Sequence, residues 1–282
     1  MPSDERLTSR GLRYREYGAA RRPNVVLVHG GPAAWGYLEP VAVRLGTAYR
    51  VLEPFQRGSQ AGRRLSVDRH VRDLREFVHE ICAGAETALV GHSWGAMLVL
   101  AFAAAFPADA GPLALIGCGT FDPASRAQLR QTLEQRFTAP IRAQLEHIER
   151  TEADPDDRLA AMGRVIQPAY GYDLDPTPGG DAICDAQAHE QSWQDMLRLQ
   201  ADGVYPAAFA HIASPVLMLH GVADPHPGAM IRESLLPFLP HLEYSELAQC
   251  GHSPWLERHA ANEFYRVLLA WLGERLGASR PA

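Results

Sequence analysis

Four cysteines in 282 residues, none paired as C-x-x-C, exclude a disulfide-stapled scaffold and point to neither a thiolate metal site nor a thioredoxin-like centre. No run approaches the roughly 20 apolar residues that a membrane helix needs; Met97 to Phe106 is too short. Basic residues are scattered, and the formal net charge is −6, so neither nucleic acid nor an anionic membrane is expected as a partner. Met1 to Arg15 is charged and has no apolar core of signal-peptide length, which leads to the expectation of a soluble, cytoplasmic protein. The phosphate-loop patterns G-x-x-x-x-G-K-[ST] and G-x-G-x-x-G are missing near strand ends. No metal or organic cofactor is therefore expected, and the expected partner is a small-molecule substrate.

What is present is ordinary for a globular enzyme: 46% hydrophobic and 21% charged residues. Asn24 to His29, Arg50 to Glu53, Thr87 to Gly91, Leu113 to Gly117, Pro215 to His220 and Leu242 to Leu247 read as short strands, most of them continuous apolar runs. Such runs suit a sheet covered on both faces. Helical patterns alternate with them: one follows the candidate cap Ser66, one spans Trp94 to Phe106, and the last runs from about Glu257 to Leu276. The alternation predicts an α/β fold with a mostly parallel, doubly wound sheet. The rhythm breaks from about Phe121 to Ile212. There Gln128 to Arg150 is polar and helical, interrupted by Pro140, and Gln187 to Gln200 is a second helical stretch. Between them, Asp154-Pro-Asp-Asp and Asp175-Pro-Thr-Pro-Gly-Gly-Asp read as acidic turns. The expected organisation is a core of residues 1–120 and 212–282, with residues 121–211 as a helical cap insertion.

Gly91-His92-Ser93-Trp94-Gly95 fits G-x-S-x-G between a strand and an Ala-rich helix, the setting of a nucleophile elbow. Small residues two before and two after the serine are needed because larger side chains collide across the turn. A serine hydroxyl is a weak nucleophile at neutral pH and needs a base. Of twelve histidines, His252 lies in the loop between the last strand and the last helix. His70, His79, His147 and His259 fall on helical patterns as surface or capping residues, and His92 is expected to point away from the serine. Asp224, in the turn after Pro215 to His220, is expected to orient His252. The order Ser93, Asp224, His252 is that of a strand-end triad. His29-Gly30-Gly31-Pro32 follows the first strong strand, so the amides of Gly31 and Trp94 are the expected oxyanion donors. Trp35, Tyr37, Trp94, Trp193 and Trp255 are candidates to line an apolar pocket.

Together, His29-Gly30-Gly31-Pro32, Gln56-Arg57-Gly58-Ser59, the elbow, His220-Gly221-x-x-Asp224 and Gly251-His252-Ser253 resemble the α/β-hydrolase superfamily, and within it the branch that includes proline iminopeptidases. The resemblance covers roughly residues 10–120 and 212–275. It implies the α/β-hydrolase fold and a serine hydrolase acting through an acyl-enzyme, with aminopeptidase activity as the narrower expectation. The branch pattern is HGGPG, DQRG and GGSWGG. Here Ala33, Phe55, His92 and Ala96 depart from it, leaving the triad intact and bearing on specificity. A carboxylesterase, a lactonase, a carbon–carbon bond hydrolase or a non-catalytic ligand-binding protein of this fold are the alternatives. If the chain is an aminopeptidase, Glu190 near Trp193 is the candidate partner for the substrate's cationic amine.

Overall fold

The structure is a computed structural model describing residues 5–60, 62–175 and 182–277. The short strands β1 (Arg6–Leu7) and β2 (Arg13–Tyr17) open the chain. They are followed by β3 (Asn24–Val28), whose five residues are all buried. Alternate residues of β3 serve opposite faces of the sheet. Val26 and Val28 pack with helices α2 (Val67–Phe77) and α3 (Trp94–Ala105), whereas Val25 and Leu27 pack with α1 (Glu39–Leu45) and α9 (Ala261–Leu276). That two-sided burial is why the strand reads as an unbroken apolar run, and each fully buried valine or leucine contributes about 1.5–3 kcal/mol.

The sheet continues through β5 (Arg50–Pro54), β6 (Thr87–His92), β7 (Leu113–Ile116), β9 (Val216–Gly221) and β10 (Leu242–Leu247). Its eight strands run in the order β1-β2-β5-β3-β6-β7-β9-β10, parallel from β5 to β10. The two N-terminal strands are antiparallel. They were not anticipated, because Arg13–Tyr17 has neither an unbroken apolar run nor strict alternation. Ser66 caps α2 by accepting from the Arg69 amide at 3.2 Å. Helix α3 is buried at every position from Trp94 to Ala103, which explains a sequence that is apolar all round. Among the described residues no helix is long and apolar enough to cross a membrane.

Between β7 and β9 the chain leaves the sheet for α4 (Pro123–Arg136), α5 (Ala139–Thr151), α6 (Pro155–Tyr170) and α7 (Ala186–Ala201). The interruption expected at Pro140 is the break between α4 and α5, with Pro140 in the first turn of α5. The expected turn at Asp154 is a helix start: its carboxylate caps the amides of Asp156 and Asp157, and sixteen helical residues follow. Most of the Asp175-Pro-Thr-Pro-Gly-Gly-Asp segment lies outside the described residues. A two-stranded ribbon of β4 (Ala34–Trp35) and β8 (Ile183–Cys184) ties this insertion to the loop after β3, pairing Ala34 with Cys184. The remaining helix, α8 (Gly228–Leu235), lies between β9 and β10.

The last helix starts at Ala261 rather than Glu257, whose backbone instead closes the turn begun at Pro254 and bridges Leu174. Buried to 1% exposure, Glu257 accepts through its carboxylate from the amides of Gly251, Tyr172 and Asp173, each at 2.8 Å. It thereby clamps the His252 loop to the end of α6.

Candidate active site

Ser93 joins β6 to α3 with φ 55° and ψ −119°, a strained conformation for a residue with a side chain. The elbow is close-packed. A Cβ on Gly95 would stand 2.1 Å from the Val28 carbonyl oxygen, and one on Gly91 2.4 Å from that of Gly95. The Ser93 amide donates to the Ile116 carbonyl at 2.8 Å. Trp94, as the first residue of α3, belongs to the helical turn whose amides have no intrahelical acceptor.

The loop carrying Gly30 and Gly31 is held from two sides. Gln56 donates through its amide to His29 Nε2 at 2.9 Å and through Nε2 to the His29 carbonyl at 2.7 Å, while its Oε1 accepts from the Trp94 indole at 2.9 Å. Burial pushes the His29 imidazole down to about 4, consistent with a neutral ring accepting at Nε2. On the other side the Tyr37 hydroxyl accepts from the Gly30 amide at 2.6 Å and donates to His92 Nδ1 at 2.7 Å. His92 Nε2 then donates to the His252 carbonyl at 3.0 Å. Burial, reinforced by His252, holds His92 well below the ordinary imidazole range, so it acts as a neutral strut between the two loops.

His252 presents Nδ1 to Asp224 Oδ2 at 2.8 Å. With that nitrogen donating, Nε2 of the neutral ring is left as an acceptor. Its backbone amide donates to the Tyr170 carbonyl at 2.8 Å, tying it to α6. Asp224 is surrounded by imidazoles. His220 Nε2 lies 3.2 Å from Oδ2, while the His226 amide at 2.9 Å and its Nδ1 at 3.0 Å reach Oδ1. Burial works against the charge of Asp224, but His252, His226 and His220 outweigh it and hold the carboxyl well below its usual range. The ligand-capable atoms of Asp224, His226 and His252 lie within 4.8 Å of one another, a spacing already accounted for by these hydrogen bonds. Asp122, the other acid at a nearby strand end, caps α4 by accepting from the Ser125 amide and hydroxyl.

Ser93, Trp94, Gly31 and His252 all line one cavity of about 480 Å³, whose opposite wall is formed by Leu129, Leu159, Ile166 and Trp193 of the insertion. Glu190 is exposed and absent from that lining: His189 and Trp193, one turn apart on α7, face the cavity, and Glu190 points off their stripe. Trp35 and Trp255 are also outside it. Trp35 stacks on Phe55 at 6.4 Å, and Trp255 stacks on Tyr37 at 6.3 Å with its ring 4.7 Å from His92. They support the loops beneath the cavity.

Two polar residues escaped sequence reasoning, His226 and Glu257, and a third, His220, was read only as part of a motif and not as a partner of Asp224. His70, expected at the surface, is instead buried to 2% exposure and shares a 2.8 Å hydrogen bond with Ser192 of the insertion. The surface expectation does hold for His79, His147 and His259.

A parallel sheet with a serine elbow and an acid–histidine pair at successive strand ends defines an α/β hydrolase. Residues 25–264 match the Alpha/beta hydrolase family, and the chain belongs to it. It is 23% identical over 286 residues to a 2-hydroxy-6-oxo-6-(2'-aminophenyl)hexa-2,4-dienoic acid hydrolase of Metapseudomonas resinovorans, covering 96% of this chain and 91% of that one. Its fold is similar to that of an enol-lactonase from Burkholderia xenovorans (TM-score 0.63, 16% identity, 95% and 99% of the two chains). A carboxylesterase from the thaumarchaeon Nitrososphaera gargenis is similar too (TM-score 0.65, 17% identity, 97% and 99%).

Proposed function

We propose that this chain hydrolyses an ester or lactone through an acyl-enzyme on Ser93. The observation that carries the reading is the strained Ser93 elbow opening on the same cavity as a His252 ring held at 2.8 Å by buried Asp224. Ser93 Oγ attacks the acyl carbon as its proton passes to His252 Nε2. Asp224 stabilises the resulting imidazolium, and the amides of Gly31 and Trp94 receive the oxyanion. His252 then returns the proton to the departing alkoxide, and water repeats the sequence to free the acid. Helices α4 to α7 act as a cap that shapes the acyl pocket.

The cavity lining speaks for an ester over a peptide amine. Among its described residues are no carboxylates, and its one fully charged side chain is Arg164, so nothing there matches a cationic α-amino group. Two of the similar proteins are named as an enol-lactonase and a carboxylesterase, which is in keeping with this reading, whereas the dienoic acid named for the third has no ester or lactone bond. A fluorophosphonate probe should label the wild type and not Ser93→Ala. In parallel, p-nitrophenyl esters should be cleaved and prolyl arylamide should not. Labelling elsewhere, or arylamide turnover exceeding ester turnover, would overturn the reading.

A further inference from the structure

Asp224 holds three imidazoles on its two oxygens where orienting a base requires only one; the third, His220, lies with Nε2 3.2 Å from Oδ2 and 3.0 Å from the His226 carbonyl oxygen. His226 approaches Oδ1 with its amide and Nδ1, His252 approaches Oδ2, and the rings stack face to face with centroids 4.6 Å apart and planes 21° apart. His226 also lines the cavity. We infer that His226 is a positioning residue: by donating to Oδ1 it fixes the Asp224 carboxylate and draws off part of its charge, setting how strongly Asp224 favours protonation of His252. This rests on His252 being the base proposed above.

The surroundings leave His226 in that role as a neutral donor. Burial, followed by Asp224, His252 and His220, governs its titration, and the net direction is downward. From the neighbouring elements it is faced by His220 of β9, His252 with His92 behind it, and the Tyr170 ring of α6 at 5.9 Å. Tyr244 of β10 and the thiols of Cys118 and Cys250 complete the titratable groups around Asp224. Burial pushes both thiols up, so they remain protonated and uncharged. The Tyr170 phenol is likewise pushed up to about 12. These phenols and thiols therefore add no charge beside the Asp224 carboxylate. Two stacked imidazolium rings over one carboxylate would repel, so a neutral His226 is also the state in which His252 accepts its proton at least cost.

Removing the His226 donor concentrates the carboxylate charge on His252 and stabilises the imidazolium. The test follows the ring proton signals of His252 by NMR through a pH titration in the wild type, His226→Phe and His226→Asn. Phenylalanine keeps the stacked ring but cannot donate, whereas the Asn amide stands where Nδ1 was. His226→Phe should move the His252 midpoint upward on the order of half a pH unit or more. The acid limb of kcat/KM for p-nitrophenyl butyrate should move by the same amount, with KM little altered. His226→Asn should return both toward the wild type. An unchanged midpoint in folded His226→Phe, or an equal shift in His226→Asn, would overturn the inference. Should His226→Phe fail to fold by circular dichroism, His226→Gln takes its place, since its longer amide overreaches Oδ1. The NMR midpoint needs no turnover, so loss of the hydrolase reading and loss of this one give different results.

Discussion

The loops after β6, β9 and β10 and the helices of the insertion face one cavity but are held in place by different means. The loops rest on the fully buried β3 and on α3, with glycines in backbone contact and polar side chains joined in chains such as Trp94–Gln56–His29 and Gly30–Tyr37–His92–His252. In the insertion, α7 packs on the core through Ala188, Ser192 and Met196, but α5 has no buried residue, α4 buries only Ser125 and α6 only Ala169. Dense packing fixes atoms to fractions of an ångström, which chemistry needs. Sparse packing tolerates exchange of side chains, which is how substrate preference diverges on one fold.

The sharpest break in this contrast comes from Asp224→Asn, which should fold normally and lose about 10⁴-fold in kcat. The new amide presents a donor to rings that already donate, so His252 is driven to the wrong tautomer. Near-normal kcat would dissociate the strand-end cluster from catalysis; Asp122 offers no substitute while it caps α4.

Next in size is an acid effect at the seam between the two regions. Burial pushes His70, bonded to Ser192, down to about 4, against about 6.5 for an unfolded histidine. The stability it contributes is complete above about 6.5. It is lost as pH falls towards 4, because the unfolded chain takes up the proton first. Thermal unfolding midpoints measured across this window should fall, and less steeply in His70→Gln; His29, buried to the same effect, keeps part of the slope. Equal slopes would mean that the seam is open to water.

Trp193→Ala probes the insertion wall. It should raise KM for an aryl ester about tenfold with kcat within about threefold, since it removes uniform binding surface and nothing at the reacting atoms. A kcat loss as large as that of Asp224→Asn would erase the distinction between the regions. The smallest effect belongs to Glu190→Gln. Being exposed and off the cavity, it should leave ester kinetics within about twofold, and a larger change would mean that Glu190 reaches the cavity that His189 and Trp193 line.

The elbow was legible because its requirements are local: Gly91 and Gly95 answer a collision within five residues. The buried strands were legible because burial on both faces leaves an unbroken apolar run. His226, His220 and Glu257 were not, since their roles arise from partners that folding brings together, as when Glu257 meets Tyr172 across 85 residues of chain. Helix α6 was missed because Asp154-Pro is equally at home in a turn and at a helix start, and only the sixteen residues beyond decide between them. Glu190 and Trp193 are neighbours in sequence, yet the 100° step of a helix sends them to different surroundings.

The ribbon of β4 and β8 gives the molecule a mechanical linkage. Ala34 follows Gly31 by three residues, pairs with Cys184 of the insertion, and is backed by the Asp185 carboxylate gripping the Ser59 amide and hydroxyl at 2.7 and 2.8 Å. A displacement of the inserted helices is therefore a pull on the strand leading back to Gly31. The position of the inserted helices and that of the loop carrying Gly31 are thereby mechanically coupled.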